Sequence, residues 1–111
     1  EIGAVAGTGN VGLNANGSLS FLDTIQRADV VFNDRALTDV TLANAGDIGI
    51  TARNIDLLQG SGLLAGIKAG LGTADSQAGD ITLNATGEVR ITAPLSRIEN
   101  NVSPNAIGKG G

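Results

Sequence analysis

A seven-residue pattern recurs three times along this chain and narrows what it can fold into. Gly9-Asn10-Val11-Gly12-Leu13-Asn14-Ala15 returns 37 residues later as Gly46-Asp47-Ile48-Gly49-Ile50-Thr51-Ala52. It returns again, 33 residues on, as Gly79-Asp80-Ile81-Thr82-Leu83-Asn84-Ala85. Each copy opens with a small turn residue and a polar one, then places aliphatics on alternate positions and ends in Ala. That is the signature of a half-buried strand. The repeat length is that of solenoids and too long for a hairpin. A strand that returns at this spacing without an intervening helix predicts an all-β chain, a parallel β-helix with one rung per copy.

Composition fits such a fold. The chain has seventeen Gly and two Phe, with no Tyr, Trp, Met, Cys or His. Aromatics carry much of an ordinary core, but stacked Ile, Leu, Val and Ala can build one without them. Gly weakens isolated strands yet suits a chain that turns several corners per rung.

Alignment of the copies predicts the core. Val11, Leu13 and Ala15 fall against Ile48, Ile50 and Ala52, and these against Ile81, Leu83 and Ala85. Short polar turns follow at Asn16-Gly17, Arg53-Asn54 and Thr86-Gly87. A second set of alternating strands then reads as Leu19-Ser20-Phe21, Ile55-Asp56-Leu57 and Val89-Arg90-Ile91. The third set is fainter: Leu63 to Ile67, Arg97 to Val102, and, in the first rung, Ile25 with Val30-Val31-Phe32. Segments 33–39, 69–78 and 103–110 read as surface loops, with Val40-Thr41-Leu42 as a short added strand. An amphipathic helix over 57–71 is rejected because Gly60, Gly62, Gly66 and Gly70 would each cost about 1 kcal/mol in a helix interior. Residues 1–111 are thus expected to form one segment of three to four rungs, at about 9–45, 46–78 and 79–111.

The chain starts at Glu1 without a leader pattern, and is read as a processed product or a piece of something longer. Neither end offers an amphipathic cap. Bare β-helix ends invite strand pairing, so either the polypeptide continues or copies associate end to end.

Ala45 to Ala52 and Ala78 to Ala85 closely resemble repeats of the filamentous haemagglutinin family, as does Ser96 to Gly111. The resemblance is strong over 45–111 and looser over 1–44. It implies a right-handed parallel β-helix in a large bacterial exoprotein, exported by two-partner secretion and found in cyanobacteria as well as pathogens. The implied role is extracellular, adhesive or structural, and not enzymatic. The family's secretion-domain motifs, Asn-Pro-Asn-Leu or Asn-Pro-Asn-Gly-Ile, are absent, so the chain reads as repeat region.

The residues themselves offer little chemistry. Without His or Cys, the usual acid–base, thiol and His/Cys zinc sites are excluded. Lys68 and Lys109 lie in Gly-rich loops rather than beside a candidate Ser nucleophile. No catalytic, cofactor-binding or metal residue is assigned, and no cofactor is expected. Asp47 and Asp80 should stack one rung apart beneath Asn10, either holding Ca²⁺ or capping backbone N–H groups at their turns. A net charge of −4 with scattered basic residues argues against a nucleic-acid partner, since no Lys/Arg cluster exists to neutralise phosphates. No apolar run is long enough to cross a bilayer as a helix.

Three functions are weighed. The first is a rigid segment of a secreted surface adhesin, with cell-surface or glycan contacts through its loops. The second is a small subunit stacking end to end into an extracellular filament. The third, a polysaccharide-active β-helix enzyme, is the weakest. It would need clustered carboxylates, whereas the acids are dispersed and Phe21 and Phe32 are expected in the core or at a loop interface.

Overall fold

A computed structural model describes residues 1–92 and 94–111. In chain order its strands are β1 (Ile2–Gly3), β2 (Val11–Leu13), β3 (Leu19–Phe21), β4 (Val30–Phe32), β5 (Leu37–Asp39) and β6 (Ile48–Ala52). There follow β7 (Ile55–Leu57), β8 (Gly62–Leu64), β9 (Ile81–Ala85), β10 (Val89–Ile91) and β11 (Arg97–Glu99). No helix forms among the described residues. The protein is all-β.

Three sheets of three strands are parallel throughout, in the orders β1-β6-β9, β4-β7-β10 and β5-β8-β11. The consecutive strands β6, β7 and β8 are each the centre of a different sheet. Their inward side chains are accordingly the best buried: Ile48, Ile50, Ala52, Ile55, Leu57 and Leu63 form the core together with Ala65. Ile2, Val30, Phe32, Ile81, Leu83 and Ile98 close over this core from the flanking strands, and Val40 from just past β5. Complete burial of one such aliphatic side chain stabilises by about 1.5–3 kcal/mol, so the central strands hold most of the fold's cohesion.

The second and third sequence copies pair as expected. Ile48 lies opposite Ile81, Ile50 opposite Leu83 and Ala52 opposite Ala85. Ile55 to Leu57 pairs with Val89 to Ile91, and Leu63 with Ile98. Ile67 bridges to Leu42 on one side and Val102 on the other.

The first copy departs from expectation. Val11, Leu13 and Ala15 do not stack on Ile48, Ile50 and Ala52. That place belongs to Ile2, opposite Ile50. Val11–Leu13 instead pairs antiparallel with Leu19–Phe21. Leu19–Phe21 is therefore not the partner of Ile55–Leu57, a position taken by Val30–Phe32. The third place is filled by Leu37–Asp39, read from sequence as loop. The cause is local. Asn14 to Ser18 closes a tight reversal, with Gly17 at φ 83° and the Asn14 amide donating to the Ser18 carbonyl at 2.8 Å. An Asn-Gly flanked by alternating apolar residues makes a hairpin rather than a gentle corner.

Between the second and third sheets the chain turns through left-handed backbone each time. Asp34 and Arg35, Gln59 and Gly60, and Leu95 all have positive φ. Only one of these five is Gly, so the sequence did not mark this corner.

Candidate functional site

The hairpin and the chain returning from it lie across the outer face of the β1-β6-β9 sheet. The Phe21 ring covers Gly3, where a Cβ would come within 2.1 Å of the ring. The Glu1 carboxylate accepts the Leu19 amide. Arg27 reaches over to β9, donating to the Asn84 carbonyl at 3.3 Å and to its Oδ1 at 3.1 Å. Val5 bridges antiparallel to Arg27, holding the base of the excursion together. These contacts reach the two outer strands of the sheet, Gly3 on β1 and Asn84 on β9.

Beneath the hairpin runs a solvent-open groove of about 680 Å³. Outward residues of the central and flanking strands form its floor: Gly49 and Thr51 on β6, Thr82 and Asn84 on β9. Asp47 and Asp80 stand at one end, with Asn16 to Leu19, Phe21 and Arg27 as the wall. A second hollow of about 600 Å³ shares Phe21 and Arg27 and continues past Leu22, Ile25, Arg53 and Thr86. The floor is polar because strand alternation turns the aliphatics inward. Hydroxyl, amide, carboxylate and guanidinium groups thus lie side by side, a surface suited to hydrogen-bonding a polar ligand.

The electrostatics are those of paired surface charges. Asp29 accepts two parallel bonds from Arg53, at 2.8 and 2.7 Å, and further bonds from the Asn54 amide and Nδ2. The Arg53 hydrogen bond above all holds its carboxyl at about 2, against an ordinary 3.8. Asp56 is likewise lowered by its hydrogen bonds from Arg90, at 2.8 and 3.1 Å. Asp39 is lowered chiefly by the Thr41 hydroxyl, which donates to it at 2.7 Å.

Asp47 and Asp80 do stand at neighbouring strand starts, and the contact between them is a backbone cap. Asp47 Oδ1 accepts the Asp80 amide at 2.9 Å. Asn10 is not above them, since its segment has left for the hairpin. Among the described residues no group of three or more acidic side chains converges as a metal site would require.

The expected contact loops lie elsewhere. Segments 69–78 and 103–110 run against each other, with Ile107 donating to the Leu71 carbonyl and Ala78 to that of Lys109. Neither lines the groove. The groove was missed because its wall comes from the misassigned first copy. The signal that would have found it was Asn16-Gly17 between Val11-Gly12-Leu13 and Leu19-Ser20-Phe21.

The molecule is thus an all-β protein of parallel sheets bearing a hairpin-walled polar groove. No family model, curated protein or solved structure matches the chain.

Proposed function

We propose that this chain is a non-catalytic structural and adhesive segment of a secreted bacterial surface protein of the filamentous haemagglutinin kind. On this reading β6, β7 and β8 are the three faces of one rung of a right-handed parallel β-helix. The carrying observation is the residue-for-residue parallel register of Ile48–Ala52 on Ile81–Ala85. A chain that visits three sheets in succession and then returns to each one strand over is stacking repeats. Rungs of this kind make a stiff spacer, and the hairpin groove gives it a polar contact surface. The family assignment stands on the resemblance of 45–52, 78–85 and 96–111.

Antibody raised against this chain tests the reading on cells of its source. The expected result is a surface-exposed polypeptide, removed by external protease, with a denatured mass far above the 11.0 kDa of this chain. Confinement of the antigen to the cytosol overturns it. A surface antigen near 11.0 kDa would favour the filament reading instead.

A further inference from the structure

Asn16-Gly17 stands at the tip of the hairpin, and both residues are exposed. Of the ten asparagines, Asn16 alone precedes a glycine. The reactive pair in such a dipeptide is the side-chain carbonyl carbon of Asn and the backbone nitrogen of the next residue. Glycine leaves that nitrogen without a side chain to screen it. The surroundings are open too, since a Cβ at Gly17 would meet nothing within 4 Å.

The turn also acts on the carbonyl. Asn16 Oδ1 accepts the Ser18 amide at 3.1 Å and the Ser18 hydroxyl at 2.7 Å. A backbone N–H only donates, so the oxygen of the Asn16 amide, not its nitrogen, faces Ser18. Asn14 Nδ2 in turn donates to Ser18 Oγ at 2.9 Å, which leaves the hydroxyl proton for Asn16. Hydrogen bonds in series polarise one another. Two donors thus converge on the oxygen that takes negative charge when its carbon is attacked, as in an oxyanion hole. Asn54 Oδ1 accepts the Glu88 amide and Asn84 Oδ1 accepts Arg27, but neither residue is followed by Gly.

We infer, independently of the adhesin reading, that Asn16-Gly17 is a self-modification site at which the turn promotes deamidation of Asn16. The Gly17 N–H first leaves the Asn14 carbonyl, which it meets at 2.9 Å, and gives its proton to water. The nitrogen bonds to Asn16 Cγ, the Cγ–Nδ2 bond breaks, and Nδ2 takes up a proton and departs as ammonia. Water then opens the cyclic imide. Opening at Cγ leaves an ordinary aspartyl link, and opening at the main-chain carbonyl carbon leaves an isoaspartyl link through Cβ. The net change is hydrolysis of an amide to a carboxylate, with no oxidant or reductant.

Both products alter the groove. Asn16 lines it together with Glu1, Asp47 and Asp80, so either product adds negative charge to a wall that already faces acids. The isoaspartyl link also lengthens the main chain between Asn14 and Ser18, whose 2.8 Å backbone bond closes the tip. That loosens the wall carrying Leu19 and Phe21. Loss of ammonia does not reverse, so ageing changes the hairpin in one direction.

The test holds the purified chain in mildly alkaline buffer and follows each Asn by peptide mass and by isoaspartyl methyltransferase labelling. Asn16 should convert several-fold faster than any other asparagine. Ser18→Ala should slow it several-fold in the folded chain and leave the rate in denaturant unchanged, and Ser18→Thr should restore the folded rate. A merely loosened hairpin would free the Gly17 N–H and speed the reaction, the opposite sign. Chymotrypsin should cut the isoaspartyl form faster than the fresh chain at Leu19 or Phe21. Another asparagine converting as fast as Asn16 overturns the site. An unchanged or raised rate in folded Ser18→Ala, or equal slowing in denaturant, overturns the part played by the turn. Equal cutting of aged and fresh chains overturns the loosening of the wall.

Discussion

Asn54 Oδ1 accepts the backbone N–H of Glu88 at 2.9 Å, one strand away in the same sheet. Its own N–H and Nδ2 donate to Asp29 on the other side, at 3.1 and 2.9 Å. One side chain thus ties three successive strand starts at a corner where the ladder has not yet begun. Asn54→Ala removes the side-chain bonds and should cost about 1–2 kcal/mol. A urea midpoint equal to that of the parent chain would refute the tie.

Ile50 stands between Ile2 and Leu83 and is 1% exposed. Ile50→Asp buries an unpaired charge, a penalty of several kcal/mol that matches the whole stability of a small domain. The variant should lack cooperative unfolding by circular dichroism, whereas Ile50→Val should fold and lose about 1 kcal/mol. A folded Ile50→Asp chain would mean that this face of β6 is not the core.

Acid should weaken the fold in a defined window. Asp29 titrates at about 2 in the folded chain against an ordinary 3.8. A lowered carboxyl contributes stability that is complete above its unfolded value and lost as pH falls through the folded one. The loss therefore runs from about pH 4 down to about pH 2, and Asp56 and Asp39 shift in the same direction. The thermal midpoint of Asp29→Asn should fall less over this interval than that of the parent. Parallel curves would rule out Asp29 as a contributor.

Gly79 has no room for a side chain, since a Cβ would lie 2.1 Å from the Gly46 carbonyl oxygen. The neighbour is backbone and cannot rotate away. Gly79→Ala should destabilise by about 1–3 kcal/mol, whereas at Gly110 a Cβ meets nothing within 4 Å and the same change should be neutral. Equal effects at the two positions would contradict the close approach of these corners.

Leu95 adopts φ 71° while 80% exposed. A left-handed backbone costs an L-residue about 1–2 kcal/mol, and little packing offsets it here. Leu95→Gly should raise stability by about 0.5–1 kcal/mol after the entropic cost of Gly. A fall in the denaturation midpoint would show that the leucine makes contacts worth more than its strain.

The sequence by itself determined the pairing of Ile48–Ala52 with Ile81–Ala85, because alternating aliphatics at a constant spacing leave a strand one register that buries them. It determined the 55–57 and 89–91 pair for the same reason. Only the tertiary structure decided that Gly9 to Phe21 is an excursion. Val11 and Leu13 carry the same alternation as a core strand, yet Val11 is 40% and Leu13 74% exposed. Period-two patterning reports that a strand has two faces, not which neighbour covers one of them, and Ile2, with almost no pattern around it, took the core place. The groove belongs to the same class of fact. Thr51, Thr82 and Asn84 look like ordinary outward residues until Phe21 and Arg27, more than fifty residues from Asn84 in the case of Arg27, are folded across them.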